Sequence, residues 1–303
     1  MLRIATKLIQ NTPYFLHSLE HVMAKARALK QIRESIATKD GDGVNITRLA
    51  GFECPDFSPF LMIDELKSED SADYIGGFPP HPHRGIETLT YMLNGHFQHK
   101  DHMGNVGELR SGGAQWMAAG RGVIHSEMPI MTEGQLHGFQ IWINQPAAKK
   151  MMPARYHDFQ PESITEYRSE QHDLLRVIAG ELEVNGRILS GPLTETGVPL
   201  TVADWRAETP TTLIAKVSHH FQCMVFVYEG AVSIDGQKLT QGHLGLMSEG
   251  DVLKLTASPN CGVLIFAGEP IREPIVHYGP FVMNSVDEIN QAINDYNSGH
   301  FVD

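Results

Sequence analysis

From Asp40 onward the chain alternates short apolar runs with clusters of Gly, Asn, Asp and Pro, a period-two texture that predicts strands joined by tight turns. The pattern predicts strands at Val44–Leu49, Thr88–Leu93, Gln115–Met117, Gly138–Ile143, Leu174–Ala179, Gln222–Tyr228, Val252–Thr256 and Gly262–Ala267. Two stretches repeat one another: Tyr91-Met92-Leu93-Asn94-Gly95 and Phe226-Val227-Tyr228-Glu229-Gly230 each run an apolar strand into a glycine turn. Gly113 follows the first by 18 residues and Gly250 the second by 20, each ahead of another short apolar strand. A duplicated small β-barrel accounts for both halves. Only the end of the chain changes period. Ser285 and Glu288 have capping-box spacing, Ile289, Ala292, Ile293 and Tyr296 form one stripe, and Gly299 is placed to stop the helix.

The reading divides the chain into a basic extension over residues 1–39, a first barrel over 40–160, a second over 161–283, and a helix and tail over 284–303. In the extension seven cations face only Glu20 and Glu34, a composition found in organelle-targeting leaders. The alternative is a start codon placed too early, with translation beginning at Met23.

Length and composition then narrow the field. With 303 residues and 42% hydrophobic content, two domains can each bury a core. No run of about 18 apolar residues occurs, so no helical membrane span is expected. A net charge of −12 without a basic-aromatic patch argues against direct nucleic-acid binding. Three widely spaced cysteines, Cys54, Cys223 and Cys261, form neither a C-x-x-C motif nor a disulfide framework, which fits a reducing compartment.

Sixteen histidines leave the chemistry to position. In an extended segment residues i and i+2 share a face, so His81 and His83 present two imidazoles about 6–7 Å apart. Pro82 between them suits a strand start or a sheet edge. His125 and Glu127 share a face in the same way. If the two segments face each other across a barrel, three nitrogens and a carboxylate converge on one divalent metal and leave two octahedral positions open. Glu87 is the runner-up ligand, since it shares the parity of His83. His96, His99 and His102 read as solvated hairpin residues, and His137 as a group supporting the site from behind. His219 and His220 point to opposite faces and His243 stands alone, so the second barrel is expected to hold no metal.

Four segments, GGFPPHPHRGIETLTYMLNG, DHMGNVGELRSGGAQWMAAGRGVIHSEMP, HGFQIWIN and EPIVHYGPFVMN, closely resemble the pirin family over roughly residues 40–300. The resemblance implies an all-β chain of two cupin barrels (double-stranded β-helices, or jelly rolls) with short peripheral helices and one metal in the first barrel. Matching motifs places the ligands at His81, His83, His125 and Glu127. The metal the family suggests is Fe(II), with Cu, Mn, Ni and Zn left open. Some members open the flavonol quercetin with O2, which points to a quercetin 2,3-dioxygenase taking a small aromatic substrate and O2. In that case Glu127 would also take the substrate's hydroxyl proton as a catalytic base, and Phe78, Trp116, Met117 and Ile141 would wall the pocket. Other members point to a non-enzymatic, iron-dependent redox sensor that regulates a protein partner; a zinc-dependent isomerase is a third, weaker reading. The family is often monomeric. A cytoplasmic location follows, or an organelle or nucleus if the basic segment is a targeting signal. Ile86 in place of the family's usual Phe, Gly113-Ala114 in place of Gly-Asp, and the basic extension depart from the pattern.

Overall fold

The computed structural model of the chain describes residues 24–52, 54–131 and 133–302. The targeting signal or early start expected before Met23 lies outside those residues. Each half sets a seven-stranded antiparallel sheet against a smaller one. In the first half the large sheet runs, edge to edge, Arg155–Phe159, Ala114–Ala118, Ile86–Asn94, Leu136–Asn144, Phe60–Ser68, Val44–Ala50 and Ile36–Asp40. Its partner sheet runs Phe78–His83, Val123–Pro129, His96–Asp101 and Val106–Arg110. The second half repeats the plan with Leu29–Glu34, His243–Met247, Gln222–Glu229, Cys261–Gly268, Leu200–Ala207, Leu174–Ala179 and Thr165–Arg168. Its smaller sheet runs Arg187–Ser190, Glu181–Val184, Thr212–Lys216, Val252–Ala257, Ala231–Ile234 and Gln237–Thr240. The expected strands are all present, and most extend by one or two residues at an end.

The two large sheets bury their outer faces against each other. Phe60, Ile63, Leu89, Trp116, Phe139 and Ile141 from the first half form one apolar cluster with Ile178, Met224, Phe226, Leu264 and Phe266 from the second. Every residue of the strand Ala114–Ala118 is consequently buried, because one face looks into the barrel and the other into the opposite half. The Asp204 carboxylate ties the halves together, accepting from Tyr91 Oη at 2.8 Å and Tyr228 Oη at 2.7 Å.

The ends of the chain are exchanged between the halves. Leu29–Glu34, placed by sequence in a separate extension, pairs with His243–Met247 of the second barrel. Arg27 is buried there and donates to the carbonyls of Ser218 at 2.8 Å, Phe221 at 2.9 Å and Ser248 at 3.1 Å. The local excess of cations is thus partly structural: a buried guanidinium satisfies loop carbonyls that have no sheet partner. Conversely, the hairpin of Val276–Tyr278 and Phe281–Met283 lies against the first half, where Phe281 bridges to Arg84. The terminal helix, Val286–Ser298, has the expected caps: Ser285 Oγ accepts from Glu288 N, and Gly299 adopts φ +79°. It packs Ile289 and Ala292 on Phe281, Met283 and Phe301. Arg84 anchors it through Asp295 at 2.6 Å.

Candidate metal centre

Three prolines make Phe78–His83 a poor interior strand, and the fold uses it at a sheet edge with Val123–Pro129 as its one ladder partner. The two segments expected to face each other across the barrel are therefore neighbours in one sheet. His125 stands directly opposite His81, and Val123 opposite His83. A register shift after His125 sets Glu127 against Phe78. The sharp reversals beyond each segment need glycine. Gly85 has φ +79° and a Cβ there would meet the Val282 carbonyl at 2.1 Å; Gly120 has φ +50° and would meet that of Met152 at 2.0 Å.

This register gathers the rings of His81, His83 and His125 with centroids 4.4–5.0 Å apart. One nitrogen from each lies within 4.8 Å of the other two. His83 and His125 are buried while His81 is half-exposed at the mouth. Burial, reinforced by the charge of the neighbouring imidazoles, holds His83 and His125 well below the usual histidine range. Both rings are thus neutral near pH 7 and carry a free lone pair.

These residues fit a cation. His83 Nδ1 and His125 Nε2 are buried without any hydrogen-bond partner, an arrangement that costs free energy unless something accepts their lone pairs. His81 Nδ1 lies 2.8 Å from the Pro79 carbonyl, which can only accept. That bond puts the proton on Nδ1 and frees Nε2, the usual way a ligating imidazole is oriented. Glu127 belongs to the same cavity but stands apart from this three-nitrogen group. Its carboxylate accepts from Thr90 Oγ1 at 3.0 Å and from Gln140 Nε2 at 3.1 Å, both on the opposing sheet.

The group opens onto a cavity of about 600 Å³ lined by Phe52, Phe78, Trp142, Gln140, the Arg48–Asp64 pair and, from the second half, His277, Gly279 and Pro280. Phe52 is sandwiched at the mouth: His277 stacks on it at 4.0 Å and Trp142 meets it edge-on at 6.2 Å. Arg48 clasps Asp64 with two contacts of 2.8 Å.

Of the four wall residues expected from sequence, Phe78 lines this cavity. Trp116 and Ile141 instead lie in the cluster between the halves, and Met117 packs with Leu61, Ile86 and Val123. Glu87 is not a neighbour of the three histidines; it accepts from Trp116 Nε1 at 3.0 Å on the other side of the sheet. His137 also faces away and pairs with Glu65 at 2.8 Å. His99, expected to be solvated, is buried with its ring against His125. The shared period-two parity of Phe97, His99 and Asp101 along one strand, and of Gln140 and Trp142 along another, is the sequence signal that points to the missed residues.

In the second half the positions matching the histidine segments are apolar. Leu213 and Ala215 pair with Leu255 and Leu253, and all four are buried among the side chains that fill that barrel.

A duplicated jelly roll whose first lumen carries a three-histidine cluster defines a bicupin with a candidate metal centre. Comparison with known proteins agrees. The pirin family model matches residues 43–143 and the model of the pirin C-terminal cupin domain matches 202–302. A Vibrio cholerae protein provisionally named a quercetin 2,3-dioxygenase is 63% identical, across 92% of this chain and 99% of its own. Mouse pirin is 33% identical, across 88% of this chain and 92% of its own. The crystal structure of a quercetin 2,3-dioxygenase from Acinetobacter baumannii superposes with a TM-score of 0.83 at 33% identity, covering 91% of this chain and 99% of that one. The chain belongs to the pirin family.

Proposed function

We propose that this chain is a metal-dependent dioxygenase of the quercetin 2,3-dioxygenase type, with Fe(II) held by His81, His83, His125 and Glu127. The observation that carries the reading is the convergence of three imidazoles, two with buried unpartnered nitrogens, at the end of an aromatic-walled cavity. The names of the Vibrio and Acinetobacter relatives favour flavonol chemistry.

Bound iron would supply Lewis acidity and a redox partner for O2. The chain's own residues do the rest. Phe52, Phe78 and Trp142 offer apolar and aromatic faces to a flat substrate, and a cavity of about 600 Å³ falls in the range of small-molecule sites. His277 and Phe52 cover the mouth and limit water. Glu127, held between two donors, is oriented to accept a further proton from a substrate hydroxyl at a carboxylate oxygen once Thr90 or Gln140 yields its place.

The test is quercetin consumption and carbon monoxide release by protein loaded with Fe(II). Turnover should cease under anaerobic conditions and fall at least a hundredfold in Glu127→Gln. Turnover by metal-free protein would end the proposal. Protein that binds iron yet leaves flavonols and other enols intact would instead favour the alternative, iron-dependent regulation of a protein partner.

A further inference from the structure

We infer that His99 and Asp101 are positioning residues that fix the tautomer of His125 from behind the metal centre. The inference rests on the metal-centre reading above and deepens it. His125 Nε2 is the unpartnered nitrogen that points to the candidate site, and its other nitrogen, Nδ1, lies 3.4 Å from His99 Nδ1. A neutral imidazole carries one proton. If Nε2 is to offer its lone pair to a cation, the proton of His125 sits on Nδ1 and is donated to His99. His99 must then accept at Nδ1 and carry its own proton on Nε2, which faces Asp101 Oδ2 at 3.5 Å.

One arrangement of protons fits the row: N–H groups run from His125 to His99 and on toward the carboxylate, away from the site, with His99 Nε2 buried, without a hydrogen-bond partner, and 3.5 Å from Asp101 Oδ2 as its nearest charged neighbour. The end of the row is rigid. Asp101 accepts from the backbone N–H groups of Met103 at 2.9 Å and Asn105 at 3.0 Å, and from Asn105 Nδ2 at 2.8 Å. The plane of His99 is set by Tyr156, whose ring stacks on it at 4.3 Å and 24°. Tyr156 is itself anchored through its hydroxyl to Asp158 at 2.6 Å. Outer-shell carboxylate–histidine pairs of this sort raise ligand basicity, and their loss lowers metal affinity about 10–100-fold.

The experiment titrates metal-free wild type, His99→Phe and His99→Asn with Co(II), reading affinity by calorimetry and the ligand field by visible absorption. His99→Phe keeps the ring stack but removes the acceptor, so its affinity should fall about 10–100-fold with a changed spectrum. His99→Asn restores an acceptor near the place of Nδ1 and should recover most of the loss. The wild type also reports directly: long-range ¹H–¹⁵N spectra of the Zn(II) form should show His125 protonated at Nδ1 and His99 at Nε2. Co(II) affinity in His99→Phe equal to wild type, or His99 protonated at Nδ1, overturns the inference while leaving the metal centre standing. Failure of the wild type to bind Co(II) and Zn(II) removes the metal-centre reading and this inference with it.

Discussion

Glu87 gives the sharpest test of the electrostatics of the interface between the halves. The carboxyl is fully buried, with Trp116 Nε1 donating at 3.0 Å and Gln145 Nε2 at 3.5 Å, and it also receives a backbone hydrogen bond from Gly197 of the second half. Burial nonetheless dominates these donors and pushes it up from the ordinary 4.5 to about 7. Gln145 Oε1 is buried without a partner, so rotating that amide would present it with the proton of a neutral Glu87. Between pH 4.5 and 7 the unfolded chain has lost this proton and the folded chain has kept it, so raising the pH favours unfolding. Each tenfold change in proton equilibrium is worth about 1.4 kcal/mol, which makes the loss between pH 5 and pH 8 roughly 2.5 kcal/mol. With a urea slope of about 3 kcal/mol per M, the wild-type midpoint should drop by close to 1 M over that interval on account of this residue alone. Glu87→Gln removes the titration while keeping an acceptor for Trp116. Urea melts of both proteins at pH 5 and pH 8, followed by tryptophan fluorescence, give the difference of differences and cancel the other titrating groups. If wild type and variant differ by the same amount at both pH values, within about 0.5 kcal/mol, the account of a buried, destabilised carboxylate is wrong.

Three other outcomes are expected. Lys150 is buried, lowered to about 8 by that burial, and donates to the carbonyls of Gly85 at 2.8 Å and Val282 at 3.0 Å and to Asn144 Oδ1 at 2.7 Å. Lys150→Met strands three acceptors and should cost roughly 2–4 kcal/mol in a denaturant melt. Metal binding should raise the thermal midpoint, since Zn(II) at a hundredfold over Kd adds about 2.7 kcal/mol. It should also change the fluorescence of Trp142, whose ring meets His83 edge-on at 5.0 Å, and His125→Ala should abolish both responses. His277→Ala unstacks Phe52 and opens the mouth, so steady-state kinetics on a flavonol should show KM rising several-fold with kcat less affected.

Much of the fold was legible because most strands obey a simple alternation and end on turn residues. The terminal helix was equally plain, since its two caps act through local hydrogen bonds that need no tertiary context. Two kinds of information were not local. Leu29–Glu34 buries mainly Leu29 and offers no alternation, so its place in the second barrel depends on a free sheet edge more than 200 residues away. The second failure is subtler. Strands of the large sheets are buried on both faces, because one face fills the barrel and the other meets the opposite half. Period two assigns residues to faces but does not say which face is the lumen, so Trp116 and Ile141 were expected in the pocket and lie on its far side. The histidine segments escaped this ambiguity because the smaller sheet buries one face only, so buried and partly exposed positions alternate along Val123–Pro129.

The same comparison explains why duplication yielded one candidate centre. Both halves pair the equivalent two strands of the smaller sheet antiparallel, at the sheet edge in the first half and inside the sheet in the second, and His81 opposite His125 corresponds to Leu213 opposite Leu255 before the first half's register shifts. What differs is what those positions carry. Leucine and alanine complete a continuous apolar core in the second barrel. In the first, imidazoles stand at the matching places, the apolar interior forms two smaller clusters, and a cavity opens beside the histidines. A barrel hollowed in this way gives up packing that must be recovered elsewhere. The second half supplies it, through the shared core between the large sheets and through the hairpin that brings Val282 under Gly85 and Pro280 against the ring of His83. The filled barrel is therefore part of the site: it provides one wall of a cavity whose candidate metal-binding side chains come entirely from its twin.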